Sequence, residues 1–193
     1  MGARRDLRLR FRIGKCAVCM DFSFFALIAA ASVIGSWSMW GIAAALLHEL
    51  AHVAAASACG YFPEKIRFCA SGLSMTLPEH AKNTAIFAAG PAANIAAALL
   101  SLSCMPHFAA ANIALAAMNL FPVPPLDGGE LMMLLLGKRF SAPKAEKTGL
   151  FISVVSLTLF LTLGIYILLR SKGNFSLLAI GLWLFVMVYR NYV

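Results

Sequence analysis

The chain has 193 residues, of which 61% are hydrophobic and 12% are charged, and this balance excludes an ordinary soluble globular protein. Its formal net charge of +8 does not indicate nucleic-acid binding, because the basic residues fall between apolar segments rather than among aromatic residues on one polar face. The five cysteines are scattered, which excludes a disulfide framework and favours small buried side chains. We therefore expect an integral membrane protein.

A basic arm precedes the first long apolar run. Its members are Arg4, Arg5, Arg8, Arg10, Arg12 and Lys15. The run over residues 17–37 is long for a signal sequence and has no clear cleavage site, so it predicts a membrane span that is retained. A second span is predicted over residues 38–58, where frequent alanines would let neighbouring helices approach closely.

Two histidines and a glutamate interrupt the second span. His48 and His52 are four residues apart, so on a helix they lie on one face, where both rings can reach one metal ion. In the His-Glu-x-x-His pattern the glutamate, here Glu49, takes a proton from the water that zinc activates. A chance match among polar helix residues is the alternative. Because ionisable groups inside an apolar span are costly, we favour a catalytic zinc site.

Between residues 60 and 83 the pattern becomes one that is typical of strands. Apolar residues alternate with polar or small ones over residues 66–70 and again over 73–77, and Ser71 and Gly72 between them suit a two-residue turn. This predicts a short β-hairpin, with an interfacial loop of no special role as the alternative. An exposed edge of such a hairpin could pair with an extended peptide substrate.

A third span, over residues 84–104, contains Gly90, Pro91 and Asn94. Glycine and proline are tolerated in membrane helices when neighbouring groups satisfy the backbone. Asn94 within lipid should form a hydrogen bond to another helix. We favour that structural role over a contact with the substrate or its oxyanion.

A fourth span, over residues 108–121, is followed by three prolines that end the helix. Asp127 lies just beyond them, and on unwound backbone at the end of a span it is the predicted third zinc ligand. The two glycines after it would let the chain approach the metal helix closely, although an Asp-Gly surface turn is the alternative. Asn119 would either donate a hydrogen bond to the substrate carbonyl and its oxyanion or cap the broken helix.

Two more spans are predicted over residues 148–169 and 175–189. The predicted fold class is an all-α membrane protein of about six transmembrane helices, with a short β-hairpin between spans two and three. It would form a single domain over residues 1–193, with a core over 38–129 and accessory helices over 148–189. A cytosolic N-terminus places most basic residues in the cytosol and turns both parts of the metal site to that side.

Three motifs together resemble the site-2 protease family of intramembrane zinc metalloproteases, peptidase family M50. They are His48-Glu49-Leu50-Ala51-His52, Ala89-Gly90-Pro91-Ala92-Ala93-Asn94 and Asn119-Leu120-Phe121-Pro122-Val123-Pro124-Pro125-Leu126-Asp127-Gly128-Gly129. No PDZ-like insert separates them, so the chain is most similar to the small bacterial sporulation-type members. Glu130 stands where many members of the family carry a basic residue.

The resemblance implies that His48, His52 and Asp127 bind one Zn²⁺ per chain and that Glu49 is the catalytic base. It also implies a multi-pass protein of the bacterial cell membrane that cuts a membrane-tethered protein within or near the bilayer. Such regulated intramembrane proteolysis commonly releases a transcription or sigma factor, as in sporulation. The implied partners are a transmembrane or membrane-associated substrate and regulatory membrane proteins, without nucleic acid.

Two other classes of protein would also place histidines and carboxylates in a membrane. An inactive scaffold or chaperone of the same fold would have lost Glu49 or a ligand, and all four residues are present. A metal transporter would need a polar path across the bilayer, and the outer halves of the predicted spans carry almost no ionisable groups. The sequence therefore favours the protease over both alternatives.

Overall fold

The computed structural model divides by its internal contacts into two compact units, residues 1–117 and 118–193. The residues that it describes are 8–13, 16–21, 25, 27–29, 35–63, 65–69, 72–76, 83–171, 173 and 175–192. The predicted turn at Ser71 and the arginines before Arg8 lie outside these residues.

In the described part of the first unit, four strands form one mixed β-sheet. They are β1 (Arg8–Ile13), β2 (Cys16–Asp21), β3 (Lys65–Cys69) and β4 (Gly72–Thr76). Their order in the sheet is their order in the chain, and only the central pair, β2 and β3, is parallel. β1 alternates arginine with apolar residues, which is the period of a strand with one polar face.

This sheet corrects two predictions. The fold is not all-α with an isolated hairpin, because two further strands extend the β3–β4 pair. The predicted span over residues 17–37 is wrong at its start, since Cys16–Asp21 is a strand paired on both sides, with Val18 buried. A short apolar run can form a buried strand as readily as part of a helix, and here the partner strands decide.

Three helices of the first unit carry most of the polar groups that the sequence places inside apolar spans. They are α1 (Ser36–Ala58), α2 (Thr84–Ser101) and α3 (Pro106–Asn119), whose last residues pass into the second unit. The Asn83 side chain caps α2 by accepting a hydrogen bond from a backbone N–H two residues on. Past the end of α1, Gly60 has a φ of 82°, the left-handed conformation that ends helices.

In the second unit, the described helices are α4 (Asp127–Arg139), α5 (Ala142–Arg170) and α6 (Ser176–Tyr192). A hydrophobic core joins residues of the proline-rich segment before α4 to residues of α5 and α6. Its fully or almost fully buried members are Val123, Leu157, Leu184 and Val188. Burial of these side chains anchors the segment that leads into Asp127.

The backbone around Asp127 differs from the prediction. Asp127 is the first residue of helix α4 rather than a residue of unwound backbone. A Cβ on Gly128 would lie 2.8 Å from the Phe121 carbonyl oxygen, and one on Gly129 would lie 2.7 Å from Pro124 Cδ. The two glycines therefore allow α4 to begin directly against the preceding proline-rich segment.

Among the described residues, three helices are long and apolar enough to cross a membrane. These are α1, α2 and α5, and they support the prediction of a membrane protein. The segment Ser176–Arg190 of α6 is apolar but shorter, and α3 and α4 have 14 and 13 residues. The count of six spans therefore stays a prediction.

Candidate metal centre

His48 and His52 lie on one face of α1, as their spacing predicts. Both side chains are buried, with 4% and 6% of their surface exposed. Their Nε2 atoms are 3.1 Å apart and their ring planes are nearly perpendicular, at 84°. The two rings therefore direct one nitrogen each at a common point.

The tautomer of His52 is fixed by a backbone group of α2. Its Nδ1 donates a hydrogen bond to the Ile86 carbonyl oxygen across 2.6 Å. A carbonyl oxygen only accepts, so the proton of the neutral ring is on Nδ1. Nε2 consequently carries the lone pair that a metal ion would use.

The tautomer of His48 is fixed by the side chain of Asn94, which is fully buried on α2. Asn94 Nδ2 donates to the Ala44 carbonyl oxygen across 3.1 Å, so the amide oxygen faces the histidine. His48 Nδ1 donates to that oxygen across 2.5 Å. His48 Nε2 is thus also left with a lone pair.

These two nitrogens fit a metal ion. Neutral lone pairs 3.1 Å apart repel each other unless a cation or a proton lies between them. Two nitrogen ligands at roughly 2.0–2.1 Å from a tetrahedral zinc ion are about 3.3 Å apart, close to the spacing found. A zinc-bound histidine usually donates the hydrogen of its other ring nitrogen to such an acceptor.

Gly90 of α2 leaves the space in which the two rings meet. A Cβ at this position would lie 2.7 Å from both Cε1 and Nε2 of His48 and would also overlap Nε2 of His52. Any side chain here would displace both imidazoles. The glycine of the second motif is therefore explained by close packing against the histidines.

The remaining predicted site residues are placed as follows. Glu49 follows His48 on α1 and is half-buried, and its role as the base stays a prediction. Asp127 opens α4 in the second unit and Asn119 ends α3, and both are half-buried. The function of each stays a prediction as well. His107, near the start of α3, is exposed.

Two groups that orient the histidines, one directly and one through Asn94, are not predicted from the sequence. One is the Ile86 carbonyl, which has no sequence signal because every residue has a carbonyl. The other is Asn112 of α3, whose Oδ1 accepts a hydrogen bond from Asn94 Nδ2 across 2.7 Å. An amide in the middle of the apolar run over residues 108–121, where it must find a partner, is the signal that could have found Asn112.

Comparison with known proteins finds a family model and a solved structure that the chain resembles. Residues 101–163 match the family model described as Peptidase family M50. In fold, the structure is similar to a site-2 protease from Methanocaldococcus jannaschii, with a TM-score of 0.60 and 20% identity over 95% of this chain and 94% of that one. The resemblance that the three motifs predict is therefore confirmed in sequence and in fold.

Two named proteins are similar to this chain in sequence. The chain is 28% identical over 162 residues to Stage IV sporulation protein FB of Bacillus subtilis, a match that covers 76% of this chain and 55% of that protein. It is 35% identical over 65 residues to slr1821 of Synechocystis sp., a protein provisionally named a zinc metalloprotease, with 34% of this chain and 18% of that protein covered. The chain thus spans about half the length of one relative and a smaller share of the other.

Proposed function

We propose that the protein is an intramembrane zinc metallopeptidase in which His48, His52 and Asp127 hold one zinc ion. The observation that carries the proposal is the pair of buried Nε2 atoms 3.1 Å apart, each left with a lone pair by an acceptor on Nδ1. Two imidazoles and one carboxylate are a donor set of the kind that zinc takes. Three protein ligands of these kinds are the usual set of a catalytic zinc site.

In the proposed reaction, Glu49 is the base and Asn119 is the oxyanion donor. A bound zinc ion would supply Lewis acidity and a nucleophile derived from water. Glu49 would take the proton from the attacking water and pass it to the nitrogen of the leaving amine as the C–N bond breaks. The Asn119 amide would donate a hydrogen bond to the carbonyl oxygen on which negative charge develops.

The proposed substrate is a membrane-tethered protein that is unwound before it is cut. β3 is paired on both sides, whereas β4 lies at an edge of the sheet with one side unpaired by other described strands. Of the segment predicted to hold substrate, β4 is thus the strand along which an extended peptide would pair. β4 also contacts α1, the helix that carries His48 and His52.

The proposed setting is regulated intramembrane proteolysis in a bacterial cell membrane, with the N-terminus and the active site towards the cytosol. Similarity to Stage IV sporulation protein FB supports a role in sporulation. The family resemblance implies that the substrate is the precursor of a sigma factor. The proposed partners are a transmembrane or membrane-associated substrate and regulatory membrane proteins. The distribution of basic residues between the predicted spans supports the orientation.

The metal content of the detergent-purified protein tests this proposal. We expect about one zinc per wild-type chain by elemental analysis, and loss of zinc in His48→Ala and in Asp127→Ala. His107→Ala is the matched control, because His107 is an exposed histidine that is expected to leave the metal content unchanged. A folded wild-type protein without bound metal would overturn the proposal in favour of an inactive scaffold. Full zinc occupancy in Asp127→Ala would remove Asp127 from the ligand set.

A further inference from the structure

Asn112 is a buried amide that lies two hydrogen bonds away from the candidate metal centre. It is fully buried on α3. Its Nδ2 donates to the Phe108 carbonyl oxygen across 2.8 Å, and its Oδ1 accepts from Asn94 Nδ2 across 2.7 Å. The chain of hydrogen bonds therefore runs from the Phe108 carbonyl through two asparagines to His48.

Each member of this chain of hydrogen bonds has a fixed direction. The Phe108 carbonyl can only accept, so the Asn112 amide must turn its nitrogen to Phe108 and its oxygen to Asn94. Asn94 Nδ2 then lies between two oxygen atoms, that of Asn112 and that of the Ala44 carbonyl. The oxygen of Asn94 is left facing Nδ1 of His48.

We propose that Asn112 is a positioning residue that keeps His48 in the tautomer able to bind metal through Nε2, although the two residues do not share a hydrogen bond. This inference rests on the proposed metal centre. A flipped Asn94 amide would present its nitrogen to His48, so His48 Nδ1 would have to accept and Nε2 would carry the proton. With Asn112 present, the flipped Asn94 oxygen would face two oxygen atoms that repel it, those of Asn112 and of the Ala44 carbonyl. Without Asn112, it would face only the Ala44 carbonyl oxygen.

Packing alone would also explain a buried asparagine at this place, because Asn112 joins α3 to α2. The two explanations differ in what they predict for the histidine ring. A residue that only packs helices together sets their stability and leaves the His48 tautomer unchanged. A positioning residue sets the position of the proton on His48 even before metal is added.

The first test measures the tautomers in the metal-free protein. Long-range ¹H–¹⁵N NMR correlations of histidine-labelled wild type distinguish a proton on Nδ1 from one on Nε2, and His48→Gln assigns the signal. We expect His48 to carry its proton on Nδ1 in wild type and to lose this preference in Asn112→Leu, whereas a residue that only packs helices would leave the tautomer of the variant unchanged. A wild-type His48 with the proton on Nε2 would overturn the inference, whether or not the protein binds zinc when metal is restored.

The second test measures zinc affinity by competition with a chelator. We expect Asn112→Leu, which fills the space without an acceptor, to raise the Kd for zinc about tenfold or more. Asn112→Asp should keep the Kd within about threefold, because a carboxylic acid presents one donor to Phe108 and one acceptor to Asn94. Ser101→Ala is the control, since it removes a different hydrogen bond, from the hydroxyl of a buried serine on α2 to the Ala97 carbonyl.

The outcomes separate this inference from the proposed function. Wild-type zinc binding with an unchanged Kd in Asn112→Leu would overturn the role of Asn112 and leave the metal centre standing. Equal losses of affinity in Asn112→Leu and Asn112→Asp would also overturn it, because Asn112→Asp keeps the acceptor for Asn94 that Asn112→Leu removes. A wild-type protein that binds no zinc would instead overturn the proposed function. The NMR measurement on the metal-free protein would then test the role of Asn112 by itself.

Discussion

The amide oxygen of Asn94 accepts a hydrogen bond from Nδ1 of His48, although the two residues are 46 positions apart in the chain. This contact joins the second motif of the sequence to the first. It turns a neutral imidazole, which could carry its proton on either nitrogen, into one whose Nε2 is available to a metal ion. The Asn94 side chain thus forms hydrogen bonds with His48, Ala44 and Asn112, as expected of a structural amide.

Replacement of Asn94 by leucine should weaken metal binding without removing a metal ligand. We expect Asn94→Leu to raise the Kd for zinc about 10–100-fold, because His48 loses the acceptor that orients its ring. The measurement is chelator competition with purified protein. Ile95→Ala is the matched control, since this neighbouring side chain on α2 is 45% exposed. Equal affinities in wild type and Asn94→Leu would contradict a role for Asn94 in orienting His48.

Glu49→Gln should separate metal binding from catalysis. A glutamine cannot accept the proton of the attacking water, so we expect the cleavage rate to fall about 10²–10⁴-fold while the zinc content stays at the wild-type level. The measurement is release of fluorescent peptides from labelled casein in detergent, with elemental analysis of the same samples. Leu50→Ala, at the exposed next position of α1, is the control. Chelator-sensitive cleavage at the wild-type rate in Glu49→Gln would show that Glu49 is not the base.

Gly90→Ala should weaken metal binding by displacing the histidine rings, without removing a metal ligand. A methyl group here would lie 2.7 Å from His48 Nε2, so one or both rings must move and the two Nε2 atoms must separate. We expect a zinc Kd at least about tenfold higher than that of the wild type. In Gly41→Ala of α1, the added Cβ has nothing within 4 Å, and the affinity should not change. The prediction fails if both variants bind zinc as tightly as the wild type.

The second unit offers a test of the packing that anchors the segment before α4. Leu184 of α6 is fully buried against the core that contains Val123, so Leu184→Ala should lower the free energy of unfolding by about 2–4 kcal/mol. The measurement is SDS-induced unfolding in mixed micelles. Leu182→Ala changes the same residue type at a site of the same helix that is 53% exposed, and should have a much smaller effect. Equal effects would show that burial at Leu184 does not stabilise the core.

Part of the fold could be predicted from the sequence. The helices that carry His48 and Asn94 run near the predicted positions, and α3 ends just before the prolines, because long apolar segments and proline breaks are local signals. The sheet could be predicted only in part, because β2 pairs with β3 across a separation that includes all of α1. The alternation of arginine and apolar residues in β1 is a strand signal, although the charge of the arginines also suits the basic arm that the sequence predicts.

A spacing of four residues, which is nearly one helical turn, is enough to place His48 and His52 on one helix face. The sequence also indicated that Asn94 would bond to another helix, since an amide in an apolar span must find a partner. Which nitrogen of each ring carries the proton depends instead on tertiary contacts. That choice depends on the Ile86 carbonyl for His52 and, through Asn94, on the Ala44 carbonyl and the Asn112 amide for His48, and these contacts arise when distant segments pack together.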